Sequence, residues 1–313
     1  MTKARHRSMR RRATTLASAL LAVGALTLSG CTIDKAAVTG ASPTTTVTEQ
    51  QKPNPTPPVV ASSTPAPEQS TPAPAGEVDL ASIAAAVEAQ FGGQVGIALA
   101  SPTAAQSGAP RVAGALQTGP AWSTAKVPIA VAVARTSGVT EQVSAAITAS
   151  DNAAAEALFA SLGEPSTAAA AATQVLRDGS DTETVIQVTK TRPEFSAFGQ
   201  TQWSLQNQAI FGANLQCIAG GAAIAELMGQ IVPGQDYGLG TIAGARYKGG
   251  WGPNESGAYL TRQFGYVPGA TAGTFVGVAI AAQPADGTYE TGQAMLSAIA
   301  AQLAQGVGPG GSC

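Results

Sequence analysis

Ser144-Ala145-Ala146-Ile147-Thr148-Ala149-Ser150-Asp151-Asn152-Ala153-Ala154-Ala155-Glu156-Ala157-Leu158-Phe159 sets a hydroxyl and an amide two residues apart, at Ser150 and Asn152, in alanine-rich helical sequence. Both side chains can face a cleft, one relaying a proton and the other donating to a substrate carbonyl. The plain alternative is a helix N-cap, for which Ser and Asp are favoured. Upstream, Ser123-Thr124-Ala125-Lys126 places a serine three residues before a lysine. On a helix the two share a face. Burial lowers a lysine's pKa, and a neutral lysine can take a serine proton. A serine near a helix N-terminus also meets the positive end of the dipole. The plain reading is a capping serine and a solvated lysine. Downstream, Lys248-Gly249-Gly250 lies in an apolar run, where glycines permit close approach of an extended substrate. The amides of Ser123 and Trp251 could then form an oxyanion hole. A surface lysine beside a bulge is the alternative.

One absence narrows the chemistry. The only histidine, His6, lies in an N-terminal segment with the character of a targeting peptide. Without it a Ser-His-Asp triad, a Cys-His pair or a histidine metal site cannot be built. There is also no Gly-x-Ser-x-Gly elbow and no phosphate-binding glycine loop. A hydrolase made from this chain needs another base, and lysine is the residue on hand. No metal site or cofactor is implied.

Outward from these motifs, apolar residues at helical spacing (Leu80, Ile83, Val87, Phe91) predict a helix over Asp79 to Phe91. Gln94 to Ala100 reads as a strand, and Arg111 to Gln117 as its partner. Ser123 to about Gln230 is mostly helical. Ala243 to Trp251, Ala258 to Val267 and Thr274 to Ala282 read as three more strands, followed by a helix over Thr291 to Leu303. The expected fold is α/β (α+β): a five-stranded antiparallel sheet with the N- and C-terminal helices over one face. An all-helical subdomain is inserted between strands 2 and 3. Trp122, Phe195, Phe198, Trp203, Phe211 and Trp251 are expected in the core and cleft wall, a ligand platform being the alternative.

In this order the three motifs resemble the signatures of the serine β-lactamase and penicillin-binding protein superfamily, Ser-x-x-Lys, Ser-Asp-Asn and Lys-Thr/Ser-Gly. The segment from Ser144 to Phe159 looks like the corresponding helix of class A β-lactamases, and the resemblance runs from about Asp79 to Leu303. It implies a serine acyl-enzyme acting on a β-lactam or a D-Ala-D-Ala-like cell-wall amide. Ser123 would be the nucleophile, Lys126 its base, Ser150 and Lys248 the proton relay, and Asn152 a carbonyl donor. Gly250 and Trp251 would border the substrate. The sequence departs from the family in three places. Ser123 and Ser150 are only 27 residues apart, about half the usual distance, which predicts a more open cleft. Gly249 replaces the hydroxyl that would hold a substrate carboxylate. Arg262 could supply a guanidinium instead, or be a surface residue. In Thr191-Arg192-Pro193-Glu194-Phe195-Ser196, arginine stands where the family's deacylating glutamate is expected, with Glu194 two positions on. Weak or absent β-lactamase turnover follows. The alternative is a non-catalytic domain that binds cell-wall fragments or a protein partner.

The rest of the chain concerns location. Residues 1–30 hold six basic residues and no acidic ones, followed by an apolar stretch from Ala13 to Leu28 too short for a comfortable span. It ends in Leu28-Ser29-Gly30-Cys31, which resembles a bacterial lipobox, with Cys31 lipidated. An ordinary signal peptide with an incidental cysteine is the alternative. Arg10-Arg11-Arg12 faintly suggests twin-arginine export. Residues 31–76 are dense in Pro, Thr and Ser, a tether with a coil span of about 35–40 Å. Residues 77–313 are the folded domain. Removing the six basic residues leaves 11 against 19 acidic ones, about −8, which argues against nucleic acid. Cys217 and Cys313 can form one bridge in an oxidising compartment. A monomer on the outer face of the cell membrane is expected.

Overall fold

The computed structural model describes residues 77–102 and 109–313. The expected targeting segment, Cys31 and the tether lie outside the described residues.

The main sheet comprises β1 (Gln94–Ala100), β2 (Arg111–Ala113), β5 (Arg246–Pro253), β6 (Tyr259–Pro268) and β7 (Phe275–Gln283). Their order is β2-β1-β7-β6-β5, and every pairing is antiparallel. Strands β1, β6 and β7 are buried along nearly their whole length, so both faces of the sheet are covered. This is why β1 and β7 read as unbroken apolar runs rather than as alternating ones, whereas β6 carries Thr261, Arg262 and Gln263.

Over one face lie α1 (Leu80–Phe91) and α8 (Tyr289–Leu303). Asp79 caps α1 by accepting from Ala81 N–H (3.0 Å), and Thr288 caps α8 by accepting from Thr291 N–H (3.2 Å). Leu80, Ile83 and Val87 meet Met295, Leu296, Ile299 and Leu303 across the apolar side chains of the strands. The opposite face receives the inserted helices α2 (Lys126–Ser137), α3 (Glu141–Thr148), α4 (Asn152–Ser161), α5 (Pro165–Asp178), α6 (Leu205–Asn214) and α7 (Gly221–Met228). Helix α2 is buried at every position from Lys126 to Val133. It is the axis of the subdomain, and a helix surrounded on all sides needs no polar stripe.

Three details differ from the sequence expectation. β2 stops at Ala113, because Gly114 turns the chain at φ 83°. β5 begins at Arg246 rather than Ala243, since Gly244 sits at φ 79° and a 3-10 turn over Gly238–Thr241 precedes it. A second, two-stranded sheet pairs β3 (Thr118–Pro120) with β4 (Gln202–Ser204), over 80 residues apart, and delivers the chain to Ser123.

Cys217 and Cys313 are joined by a disulfide that closes a long loop and holds the C-terminus beside α6. Gly311 also pairs with Phe275 on β7. Cys313→Ser is expected to lower the unfolding free energy by about 2–4 kcal/mol, because constraint on the unfolded chain is lost. Urea denaturation of oxidised wild type and variant measures it, and coincident curves would refute it.

Candidate active site

Ser123 stands on a 3-10 turn, Trp122–Ala125, that runs directly into α2 and sets Lys126 one turn further on. Ser150 takes the left-handed position (φ 58°) that ends α3, and Asp151 N–H turns back to Ala145 O (3.1 Å). Asp151 then caps α4 through its carboxylate on Ala154 N–H (2.6 Å). Capping thus falls to the aspartate alone, which leaves the residues on either side for the cleft. Trp122 (φ 49°) and Ser150 are two of the three described non-glycine residues at positive φ. Strain of this kind persists only where the surroundings enforce it.

Two lysine amines converge on Ser150. Lys126 Nζ donates to Ser150 O (2.5 Å), Asn152 Oδ1 (2.8 Å) and Ser150 Oγ (3.3 Å). Lys248 Nζ, reaching in from β5, donates to Ser150 Oγ (2.8 Å) and Gly249 O (2.9 Å). Both side chains are buried, and neither amine forms an ion pair with a carboxylate among the described residues. Burial pulls the Lys126 pKa down to about 8, although the negative charges of Asp151 and Glu156 oppose it. Lys248 falls well below the usual lysine range, through burial first and then repulsion from Lys126. Asn152 Oδ1 is engaged by Lys126, so its NH₂ is the donor it can offer a ligand. Ser123 Oγ makes none of the site's hydrogen bonds among the described residues.

The strand wall is glycine-built for contact. A Cβ on Gly250 would come within 2.8 Å of Ala121 O and 3.0 Å of Ser123 N, so only glycine lets β5 lie against the serine turn. At Gly252 a Cβ would strike the Trp122 indole. β5 is also the edge of the main sheet, the position at which an extended ligand can add to a sheet.

These elements enclose a cleft of about 390 Å³. Ser123, Lys126, Ser150, Asn152, Glu194 and Trp251 all line it. Of the aromatic set, Trp122, Phe195, Phe198 and Trp251 form its walls, whereas Trp203 and Phe211 are fully buried in the core.

Arg262 is the correction. Expected either to meet a substrate carboxylate or to lie on the surface, it does neither, being 1% exposed. Its guanidinium donates to Gly119 O (2.8 Å), Pro120 O (3.1 Å) and Trp203 O (2.9 Å), and twice to Gln208 Oε1. It ties β6 to the β3–β4 ribbon and α6, all beneath the serine turn. Glu194 is at the cleft lip but accepts from Arg192 Nε (3.1 Å) and Nη2 (2.9 Å). Arg192 also bonds Pro253 O on β5 and lies over the Phe195 ring.

Glu156 and Lys190 line the cleft as well and were not singled out from sequence. Glu156 was legible, being four residues after Asn152 on a helix. Lys190 lies in an irregular stretch with no pattern to place it. No group of three His, Cys, Asp or Glu side chains among the described residues is placed to hold a metal.

The architecture is the β-lactamase fold. Solved β-lactamases share its architecture. A class A enzyme from Mycobacterium abscessus is 18% identical, with a TM-score of 0.55 over 71% of this chain and 97% of its own. A β-lactamase from Chitinophaga pinensis is 14% identical, with a TM-score of 0.57 over 70% and 96%. An ancestral class A β-lactamase is 20% identical, with a TM-score of 0.54 over 72% and 98%. At such identities the likeness is one of fold. No protein-family model matches the chain, and no curated protein matches it in sequence.

Proposed function

We propose that this domain is a serine acyl-enzyme that opens a β-lactam or a D-Ala-D-Ala-like amide of the cell wall. The supporting observation is the unbroken chain Lys126–Ser150–Lys248 in the cleft that Ser123 lines. Neutral Lys126 takes the Ser123 proton as Oγ bonds the substrate carbonyl carbon. The developing oxyanion is met by the Ser123 and Trp251 amides, and Asn152 holds a second carbonyl. As the C–N bond breaks, the leaving nitrogen receives a proton from the Ser150 hydroxyl, which Lys248 and Lys126 restore. Catalytic hydrogen bonds are often long before substrate binds and tighten when it does. Lipidated Cys31 and the tether would hold the domain at the outer membrane face, within reach of peptidoglycan.

Incubating the protein with benzylpenicillin and weighing it intact tests this reading. An adduct is expected on wild type and none on Ser123→Ala; adducts on both, or on neither, would refute it. A second reading, a binding domain without turnover, is favoured by Gly249 and by Arg192 at the position expected for a glutamate. It predicts unchanged binding of peptidoglycan fragments by Ser123→Ala.

A further inference from the structure

An acyl-enzyme is released only if a base takes a proton from the attacking water. Two carboxylates line the cleft among the described residues, Glu156 and Glu194. Glu194 is paired with Arg192, which is itself fastened to Pro253 O on β5. A carboxylate held by a guanidinium is a poorer base. Asp151, the other acid whose charge acts on Lys126, has its oxygen on Ala154 N–H as the cap of α4. Glu156 has no hydrogen bond or ion pair among the described residues. It follows Asn152 by four positions on α4, about 6 Å along the helix and on the same face. Asn152 itself touches the Lys126 amine at 2.8 Å.

Resting on the acyl-enzyme reading, we propose that Glu156 is the general base of deacylation. Its carboxylate takes a proton from a water whose oxygen bonds to the acyl carbon on Ser123. The ester C–Oγ bond then breaks, the acyl group leaves as a carboxylic acid, and Ser123 Oγ recovers the proton that Glu156 took from the water. Ester and water become acid and serine, with no other reactant. The base thus comes from α4 instead of the irregular segment that carries Arg192, so arginine at that position does not preclude turnover. The negative charge of Glu156 also acts on the Lys126 amine.

The test is a time course of intact mass after a pulse of benzylpenicillin on wild type, Glu156→Gln and Glu156→Asp. All three should acylate at rates within about threefold, which also reports that the exposed substitutions fold. The wild-type adduct should clear, and the Glu156→Gln adduct should persist at least about 10²-fold longer, with Glu156→Asp between them. Equal clearance by wild type and Glu156→Gln, or a wild-type adduct that never clears, overturns the assignment of Glu156 and leaves Ser123 acylation standing. Absence of any adduct on wild type overturns the acyl-enzyme reading, and this one with it.

Discussion

Lys126→Met is expected to slow acylation of the protein by benzylpenicillin by about 10²–10⁴-fold, the range spanned by a positioned general base. Methionine keeps the unbranched shape in a buried site, so the loss reports the amine rather than a cavity. The pH dependence separates this from a packing defect. With a pKa near 8, roughly a tenth of Lys126 is neutral at pH 7, against less than roughly a thousandth for an unperturbed lysine. Wild-type acylation should therefore climb as pH rises through about 8 and then level, and the variant should lose that climb. Stability carries the same signature. The folded pKa lies below the unfolded value of 10.5, so the unfolded chain holds more protons between about 8 and 10.5. Stability must rise with pH across that window and be lower beneath it. Lys248, lowered in the same direction, adds to the slope, and Lys126→Met should reduce it. Acylation rates and urea midpoints from pH 6 to 10 measure both effects. An acylation profile unchanged in the variant would remove Lys126 from the base role.

Much of the cleft was legible because its chemistry is spaced locally. Ser123 and Lys126 lie a helical turn apart, Ser150 and Asn152 flank a capping aspartate, and Lys248 announces itself as a charge in an apolar strand. The antiparallel sheet was equally visible, since strands buried on both faces leave unbroken apolar runs. What sequence hid is non-local. The β3–β4 ribbon is three residues a side, and its partners are joined only by the folded chain. Ser150 and Trp122 adopt positive φ without being glycine or asparagine, so no residue type marked the turns. Thr261, Arg262 and Gln263 form a polar run in the sequence, yet all three are buried in a central strand. Strand alternation sends Arg262 toward α6 and the ribbon. Gln263 faces the other way, accepting from Leu239 N–H (2.7 Å) and donating to Tyr237 O (2.9 Å). Arg262 and Gln263 have found backbone partners that no local pattern could specify, whereas the buried Thr261 hydroxyl has no hydrogen-bond partner among the described residues.

Arg262→Met is expected to destabilise the protein by about 3–5 kcal/mol, the cost of orphaning several buried polar groups at once. Burial lowers the guanidinium pKa to about 9, so it is still charged at neutral pH, and carbonyl dipoles rather than a carboxylate balance it. Methionine restores volume but no donor, leaving Gly119 O, Pro120 O and Trp203 O desolvated. The damage should travel further. Gln208 accepts from Arg262 and donates to Thr124 Oγ1 (2.9 Å), whose hydroxyl in turn bonds Ala121 O. This buried relay of positioning residues brackets Ser123 on both sides. Releasing it should loosen the turn that presents the nucleophile, so acylation should fall even at temperatures where the variant is folded. Gln208→Leu should reproduce part of both effects. The double variant should lose less than the sum of the two, with a coupling of about 1–3 kcal/mol, as expected for residues in one network. Thermal or urea unfolding of the four proteins, each with its acylation rate, closes the cycle. Strict additivity, or an Arg262→Met midpoint equal to wild type, would show that the arginine neither holds the ribbon nor supports the serine turn.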